Sequence, residues 1–352
     1  MSEINDKIKS FYIPEFKSMG LNIKGVTEKE EYDKYISVAT ECGAVDKIKE
    51  YIPDTAISVI PVCVLSYEYN ESKSFGLKMI LKESRIHDLN RRYIIFTNKS
   101  KINTYDVFKN IKNIEIHEVP DEVNSLVLKR QYILDWAYKN DIENIFMLED
   151  DVGEFSIPVL STTNNGFKKN IKFIISNNYA FDLWEYFIIK NDFKFTGLKT
   201  TMAFDFHTTD KDLMNFYEKI KDCIQIIHVN VKTAFENNIK YDPNSGWDDY
   251  DFELQWLTKH IINYAMFMTY ITPPLKSGIS THSNLEERCK VNTEKLINKW
   301  GDLVKVDSRK GLYNAKLNWN KIKKLYKPEE ISNDSSIVLN TNKVKKVNKF
   351  IF

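Results

Sequence analysis

Apolar and polar positions in the first half of the chain follow two different periods. Four short segments, rich in β-branched residues or alternating in polarity, have the pattern of strands: 57–67, 92–97, 114–119 and 144–148. Three segments between them carry apolar residues at helical spacing: 74–83, 105–111 and 125–140. Strands that alternate with helices in this way predict an α/β fold, with a mostly parallel sheet flanked by helices.

The pattern is less regular after residue 152. Further strands are predicted at 199–206, 223–230 and 264–271. Helices are predicted at 210–221, 284–300 and 317–327, and within 247–262 the apolar spacing is helical from Asp251 onward; a helix or strand is predicted at 181–189. We therefore divide the chain into an N-terminal helical extension (1–55), a main α/β domain (56–285), and C-terminal helices with a polar tail (286–352).

Three consecutive acidic residues end the fourth predicted strand. Glu149, Asp150 and Asp151 directly follow the apolar run NIFML. In open α/β sheets the ligand crevice lies at the carboxyl ends of the strands. Adjacent carboxylates repel one another unless a cation or proton neutralises them, and Mg²⁺ or Mn²⁺ bridges carboxylates to phosphate oxygens. The triplet therefore indicates a metal–diphosphate site, with a solvated acidic turn or a helix cap as the alternative.

Composition and charge narrow the class of protein. The formal net charge is +1, from 50 basic and 49 acidic residues, which argues against a protein held on nucleic acid by bulk charge alone. The four cysteines are far apart and form no Cys-x-x-Cys motif, so we expect reduced thiols rather than a zinc cluster. The charged N-terminus is not a signal peptide, and no apolar run reaches the roughly 20 residues of a membrane span. We expect a cytoplasmic protein, in the host cytoplasm if the gene is viral.

The stretch KRQYILDWAYKNDIENIFMLEDDV (129–152) resembles the core of GT-A glycosyltransferases, whose fold is Rossmann-like. In that fold a helix carrying an Arg precedes a hydrophobic strand that ends in a D-x-D-type metal motif. Together with PVCVLSY (61–67) and WDDYDFELQ (247–255), the stretch is most similar to the TET/JBP-associated glycosyltransferase group, which includes base J glucosyltransferase, phage relatives and the C-terminal domain of GREB-type proteins. This chain departs from the pattern in having Glu149 at the first triplet position.

The resemblance implies a nucleoside-diphosphate sugar donor, most simply a UDP-sugar, held with Mn²⁺ or Mg²⁺. Donor-binding residues would be Ser66, Tyr67, Tyr69, Arg130 and Asp150, with a tyrosine ring stacked on the base and Arg130 near the diphosphate. Ordinary loop packing for the tyrosines, and pairing with a nearby carboxylate for the arginine, are the alternatives. Lys129 is interpreted as a solvated neighbour.

The same resemblance implies the remaining site residues. Glu149, Asp151 and His282 would be the metal ligands, and His207 has a weaker claim to such a role. An acidic residue at the start of the helix after Gly246 would be the general base that deprotonates the acceptor, with Asp249 the first choice and Asp248 the second. Helical spacing places Asp248 on one face with Asp251, and turns Asp249 away. Helix capping is the alternative for all three acids.

Two questions about function stay open at this point. The acceptor hydroxyl could belong to a hydroxymethylated DNA base, to a protein or to a glycan, and the basic and aromatic residues of 309–327 could contact a DNA backbone. A solvated amphipathic helix is the alternative for that stretch. A nucleotidyltransferase lacks support because the sequence has no Gly-rich phosphate loop, while a non-catalytic nucleotide-binding scaffold is the alternative to an enzyme.

Overall fold

The computed structural model describes residues 59–86, 89, 91–162, 168–175, 177–200, 213–215, 217–223, 225–271, 285–307, 313–331 and 336–338. The predicted N-terminal extension, His207 and His282 lie outside these ranges. None of the described helices is both long enough and apolar enough to cross a membrane.

Within the described ranges, the central sheet has ten strands in the order β3-β2-β1-β4-β10-β7-β11-β5-β6, with β9 beside β11. The bounds of these strands are β1 (Val62–Leu65), β2 (Tyr93–Asn98), β3 (Ile114–Val119), β4 (Asn144–Glu149), β5 (Gly153–Thr162), β6 (Lys168–Ile175), β7 (Phe195–Thr200), β9 (Tyr217–Lys219), β10 (Ile227–Asn230) and β11 (Asn263–Ile271). Two smaller sheets pair β12 (Val304–Asp307) with β13 (Asn314–Leu317), and β8 (Leu213–Asn215) with β14 (Ser336–Val338).

Seven of the ten strands in the described part of this sheet run in the same direction. Strands β3, β2, β1 and β4 are mutually parallel, and β7, β11 and β6 share their direction, whereas β10, β5 and β9 run against it. The predicted mostly parallel sheet is confirmed. The four predicted strands of the first half are β1 to β4, and each is found within its predicted segment or within one residue of it.

The described helices pack against both faces of the sheet. Their bounds are α1 (Phe75–Ile86), α2 (Leu126–Lys139), α3 (Asn177–Asn191), α4 (Val231–Glu236), α5 (Asp248–Thr258), α6 (Leu285–Trp300), α7 (Trp319–Ile322) and α8 (Pro328–Ile331), with 3₁₀ turns at Lys99–Phe108, Gly301–Leu303 and Lys323–Leu325. Helix α2 begins where the sequence predicts, because the Ser125 side chain accepts a hydrogen bond from the Leu128 N–H and so caps it.

Two predicted helices are wrong in whole or in part. The segment 210–221 contains the strands β8 and β9, because its residues pair with β14 and β11, which lie far along the chain. The segment 317–327 is not one helix: the end of β13 is followed by the single turn α7 and a 3₁₀ turn. Its apolar residues Leu317, Ile322 and Tyr326 pack instead into one cluster with α5 and α6.

Two apolar layers enclose the sheet and hold its strand ends in place. One contains Trp184 of α3 and Phe146 of β4, and the other contains Ile133 of α2 and Trp256 of α5. The three cysteines within the described ranges, Cys63, Cys223 and Cys289, are buried free thiols. Rigid packing on both faces fixes where each strand ends, and this determines the positions of the polar side chains at the carboxyl edge.

A buried histidine in β10 makes stability depend on pH. The His228 ring is fully buried, and its Nε2–H donates to Asn144 Oδ1 at 3.0 Å. Burial lowers the pKa of His228 to about 3, from the ordinary value of 6.5. Below pH 6.5 the His228 ring of the unfolded chain is therefore protonated, whereas the buried ring of the folded protein stays neutral. As a result, the free energy of unfolding falls as the pH falls.

We expect this histidine to cost about 2 kcal/mol of stability between pH 7 and pH 5. The variant His228→Gln should lose that part of the pH dependence, since glutamine does not titrate. Urea unfolding of both proteins at the two pH values measures it, and comparing the two cancels the contributions of other titrating groups. An identical pH dependence in the two proteins would show that His228 is not buried in the neutral form.

Candidate functional site

The acidic triplet lies at the carboxyl edge of two adjacent parallel strands. Glu149 is the last residue of β4 and is in register with Leu65, the last residue of β1. The chain then turns, with the Asp150 N–H donating to Leu65 O at 3.1 Å and the Val152 N–H donating to Glu149 O at 3.2 Å. The triplet is therefore at the strand ends where the sequence analysis predicts a ligand crevice.

Asp150 points into the protein and ties three segments together. Its Oδ2 accepts hydrogen bonds from Ser66 Oγ at 2.5 Å and from Ser74 Oγ at 3.2 Å. Tyr105 in turn donates its hydroxyl proton to Ser66 Oγ at 2.6 Å. Burial raises the pKa of Asp150 to about 6, although the bond from Ser66 opposes the shift. This carboxylate organises the ends of β1 and α1 rather than facing solvent.

The start of α1 is seated directly against the acidic turn. The Gly76 N–H donates to Asp150 O at 2.8 Å. A Cβ atom at position 76 would lie 2.0 Å from Val152 O and 3.1 Å from Asp150 O, so the backbone approach is possible only for glycine. The glycine therefore permits the close contact that fixes the acidic turn against the helix.

Arg130 forms the centre of a second group of carboxylates. Its side chain is 3% exposed, and its NH2 donates to Glu149 Oε1 at 2.8 Å. Its NH1 donates to Asp248 Oδ2 at 2.7 Å and also to Asp249 Oδ1. The guanidinium carbon lies 5.6 Å from the centroid of the Tyr241 ring. The structure thus brings four predicted site residues from β4, α2 and α5 into one cluster.

The charges in this cluster do not balance. One arginine pairs with three carboxylates. A further acid, Asp151, follows two residues after Glu149 in the chain. Burial raises the pKa of Glu149 to about 7 and that of Asp249 to about 6, with Arg130 opposing both shifts. Burial also raises the pKa of the half-buried Asp151. The surplus negative charge favours uptake of a cation or protons at this edge of the sheet.

Lys129 is a site residue that the sequence analysis missed. It is buried rather than solvated, and its Nζ donates to Ser66 O at 2.7 Å and to Asn98 Oδ1 at 2.9 Å. Burial lowers the pKa of Lys129 to about 8. Helical periodicity contained the signal, because residues 129 and 133 lie four apart on the stripe of α2 that also buries Ile133.

The two tyrosines after β1 differ in their surroundings. The Tyr67 ring is 59% exposed, with Lys101 Nζ 5.4 Å and Lys129 Nζ 5.9 Å from its centroid. Tyr69 is half-buried, and its ring packs edge-on against Phe108 with centroids 5.0 Å apart. Only Tyr67 therefore presents an open ring face on which a nucleobase can stack.

The acidic start of α5 differs from the predicted arrangement. Asp248 and Asp249 both reach Arg130, so they lie on the same side of the helix start. Asp251 is fully buried and instead accepts hydrogen bonds from Trp300 Nε1 at 2.7 Å and Gln255 Nε2 at 2.8 Å. The expectation that Asp249 turns away from Asp248 is wrong, because the long arginine side chain reaches both of these adjacent first-turn residues.

Helix α6 braces the turn before α5. Trp247 donates its Nε1–H to Thr293 Oγ1 at 3.1 Å, and Lys299 Nζ lies 2.8 Å from Asp251 Oδ1. Gly246 has φ +89°, and a Cβ atom there would lie 2.3 Å from Asn292 O. The C-terminal part of the chain therefore contributes to holding Asp248 and Asp249 in place. The predicted boundary at residue 285 stays a prediction.

The residues that could hold a divalent cation are carboxylates. Among the described residues, no three His, Cys, Asp or Glu side chains are grouped to hold a metal ion on their own. Mg²⁺ and Mn²⁺ need fewer protein ligands when substrate phosphates complete the shell, and one or two carboxylates are then sufficient. Glu149 and Asp151 have the right oxygen chemistry, and the surplus charge fits such an ion. The predicted third ligand, His282, lies outside the described residues.

Comparison with known proteins gives structural similarity only. No protein-family model matches the sequence, and no curated protein sequence is significantly similar to it. Similar solved structures include S. aureus TarS 1–349 in complex with UDP-GlcNAc, at 12% identity and TM-score 0.42, covering 68% of this chain and 67% of that one. The mannosyltransferase PcManGT from Pyrobaculum calidifontis, in complex with GDP-Man and Mn²⁺, is 10% identical with TM-score 0.40, covering 74% and 72%. This chain spans 65% of TarS 1–349 in another crystal structure and 40% of the longer TarS chain.

Proposed function

We propose that this protein is a metal-dependent glycosyltransferase that moves a sugar from a nucleoside-diphosphate sugar to a hydroxyl acceptor. The observation that carries the proposal is the partly buried, charge-unbalanced carboxylate cluster in which Asp248 and Asp249 meet Glu149 at the carboxyl end of β4. The surplus carboxylates attract a divalent ion, and a diphosphate can fill the remaining positions in the ligand shell of that ion. The sequence resemblance to GT-A glycosyltransferases points to the same chemistry.

The donor would lie along the ends of β1 and β4. Tyr67 offers an exposed ring for the base, while Ser66 and Asp150 shape the backbone beside it. We propose Tyr69 as a further donor-side residue, whose half-buried ring is held by its edge-on contact with Phe108. Nearby, Lys129 adds positive charge.

Glu149 and Asp151, with His282 as the predicted third ligand, would hold Mn²⁺ or Mg²⁺, which neutralises the charge that develops on the leaving diphosphate. Arg130 adds a further positive charge beside Glu149. We propose Asp249 as the general base and Asp248 as the second candidate. As the acceptor oxygen bonds to the anomeric carbon, the bond from that carbon to the diphosphate breaks and the hydroxyl proton passes to Asp249. Burial raises the pKa of Asp249, and the neighbouring Arg130 opposes that shift and so favours the ionised form that accepts the proton.

The finer proposal for the acceptor is a hydroxymethylated DNA base, which would fit modification of phage or bacterial DNA in the cytoplasm. It rests on the sequence resemblance and on the basic residues near the C-terminus. Among these, Lys324 and Lys327 are exposed, and Lys321 pairs with Asp302 at 3.0 Å. A protein or glycan acceptor is the alternative, as is a nucleotide-binding scaffold without catalysis.

Donor binding should depend on a divalent ion. We expect UDP to bind in Mn²⁺ and to bind at least ten times more weakly in EDTA, because the carboxylates repel a bare diphosphate. Asp151→Asn should reproduce much of that loss in Mn²⁺. Isothermal titration measures both, with Asp192→Asn as the control, since the Asp192 side chain is 83% exposed beyond the end of α3. Equal UDP affinity in Mn²⁺ and EDTA would contradict the proposal.

Catalysis is tested by incubating the protein with a panel of nucleotide sugars and Mn²⁺. Release of the nucleoside diphosphate, with and without a hydroxymethylated oligonucleotide, separates a transferase from a scaffold. We expect release with at least one donor. Binding without any release, over the whole panel and with acceptors of all three classes, would favour the scaffold.

A further inference from the structure

Three carboxylates hold the guanidinium of Arg130. Both terminal nitrogens have acidic partners: NH2 donates to Glu149, while NH1 donates to Asp248 and Asp249. The side chain is 3% exposed, so water does not compete for its donors. An arginine presents its N–H groups in a fixed planar fork. These bonds use three of the five N–H groups and involve both terminal nitrogens, and the small exposed fraction leaves little of the fork open to a diphosphate.

The three carboxylates come from two elements that meet through this arginine. Glu149 ends β4, whereas Asp248 and Asp249 begin α5, and Arg130 lies in α2 between them. Without the arginine, the three partly buried carboxylates would face one another and repel. The ring of Tyr241, 5.6 Å from the guanidinium carbon, packs beside the fork and limits its movement.

In the proposed reaction, Glu149 has a different role from Asp248 and Asp249. Glu149 lies on the donor side, where the cation and the diphosphate bind, and Asp249 lies on the acceptor side. The base must be held at a defined distance from the anomeric carbon, because small misplacements of reacting groups cost large factors in rate. A residue that joins both sides through one rigid group fixes that distance.

We propose that Arg130 is a positioning residue that fixes the acceptor-side carboxylates Asp248 and Asp249 relative to the donor-side carboxylate Glu149, and that it is not a ligand of the donor diphosphate. This inference rests on the proposed function. It differs from the role that the sequence resemblance implies for Arg130, in which the arginine binds the diphosphate directly.

The two roles predict opposite effects on affinity and on turnover. A diphosphate ligand contributes to donor binding, so its loss raises the dissociation constant for UDP. A positioning residue leaves that constant almost unchanged and lowers the turnover number at saturating donor. Lysine retains the charge but lacks the fork, so Arg130→Lys can hold one carboxylate well but not three.

The experiment measures the dissociation constant for UDP in saturating Mn²⁺ and the rate of nucleotide release at saturating nucleotide sugar. For Arg130→Gln we expect a rate lower by roughly a hundredfold and a UDP constant changed by no more than a few-fold. For Arg130→Lys we expect a rate lower by about tenfold, again with little change in affinity. If the glutamine variant does not fold, the lysine variant alone decides, since its buried charge is kept.

Arg92→Gln is the matched control. Arg92 also pairs with a carboxylate, Glu115, but it is half exposed and lies at the opposite end of β2 from the site. Arg92→Gln should change neither the dissociation constant for UDP nor the rate of nucleotide release. A UDP constant raised at least tenfold in the Arg130 variants, or an unchanged rate, would overturn the positioning role. The same two measurements on the unaltered protein test the proposed function itself. That function is wrong if this protein neither binds UDP nor releases nucleotide.

Discussion

Replacing Asp249 by asparagine is expected to abolish sugar transfer while leaving the affinity for UDP nearly unchanged. Asparagine keeps the size of the side chain and an oxygen that can accept from Arg130, but it cannot take a proton from the acceptor. A lost general base lowers the rate by roughly a hundred- to ten-thousandfold. Nucleotide release at saturating donor and isothermal titration with UDP measure the two effects.

The competing explanation for Asp249 is stabilisation of the helix start, and it makes a different prediction. The N-cap residue is Trp247, so a first-turn acid would act through the helix dipole, which contributes about 0.3–1 kcal/mol to stability and nothing to the chemical step. Asp248→Asn is measured beside it, because Asp248 is the second candidate base and also pairs with Arg130. If Asp249→Asn retains transfer, and Asp248→Asn does too, the start of α5 has no part in proton removal.

The variant Gly76→Ala is expected to destabilise the protein by about 1–3 kcal/mol and to reduce nucleotide release strongly. The added methyl group would lie 2.0 Å from Val152 O, a backbone atom that cannot move without shifting the acidic turn. Displacing the start of α1 would also break the hydrogen bond from the Gly76 N–H to Asp150 O. Thermal unfolding and the release assay together measure the effect.

Gly301→Ala is the control for that variant. Gly301 has φ +58°, and no atom lies within 4 Å of a Cβ atom placed there. Alanine at this position should cost about 1 kcal/mol through backbone strain alone and leave nucleotide release intact. Equal activity losses in the two variants would mean that Gly76 affects the site only through general stability.

The local pattern of the sequence was sufficient for the first half of the sheet. Strands β1 to β4 and helix α2 are short, strongly patterned segments. Strands β1 to β4 lie side by side in the sheet, although β4 also borders the distant β10. The apolar run before Glu149 correctly predicts where β4 ends, and the serine that caps α2 marks where that helix begins. Both elements carry residues of the candidate site. The fold class could therefore be predicted without coordinates, whereas Arg130, Asp248 and Asp249 were candidates only through the resemblance to a family.

The features that could not be predicted from the sequence depend on partner residues that lie far away along the chain. Strand β9 forms because β11 lies beside it, and apolar spacing within 210–221 fits a helix equally well. The burial of Lys129 depends on acceptors supplied by Ser66 and Asn98, both far along the chain. The buried position of Asp251 depends in the same way on Trp300. Charged residues are expected at the surface by default, so these exceptions appear only once their partners are known.

The place of β10 in the sheet has a consequence for how the protein is made. Strand β4 is bordered by β1 on one side and by β10 on the other, and β10 is encoded after α3 and β7. During synthesis, the β4 edge must therefore stay unpaired while the ribosome adds the whole intervening stretch. An open, apolar strand edge is a template for wrong pairing with other chains. The strand that carries the first acidic site residue thus has one edge exposed to such wrong pairing until β10 has been synthesised.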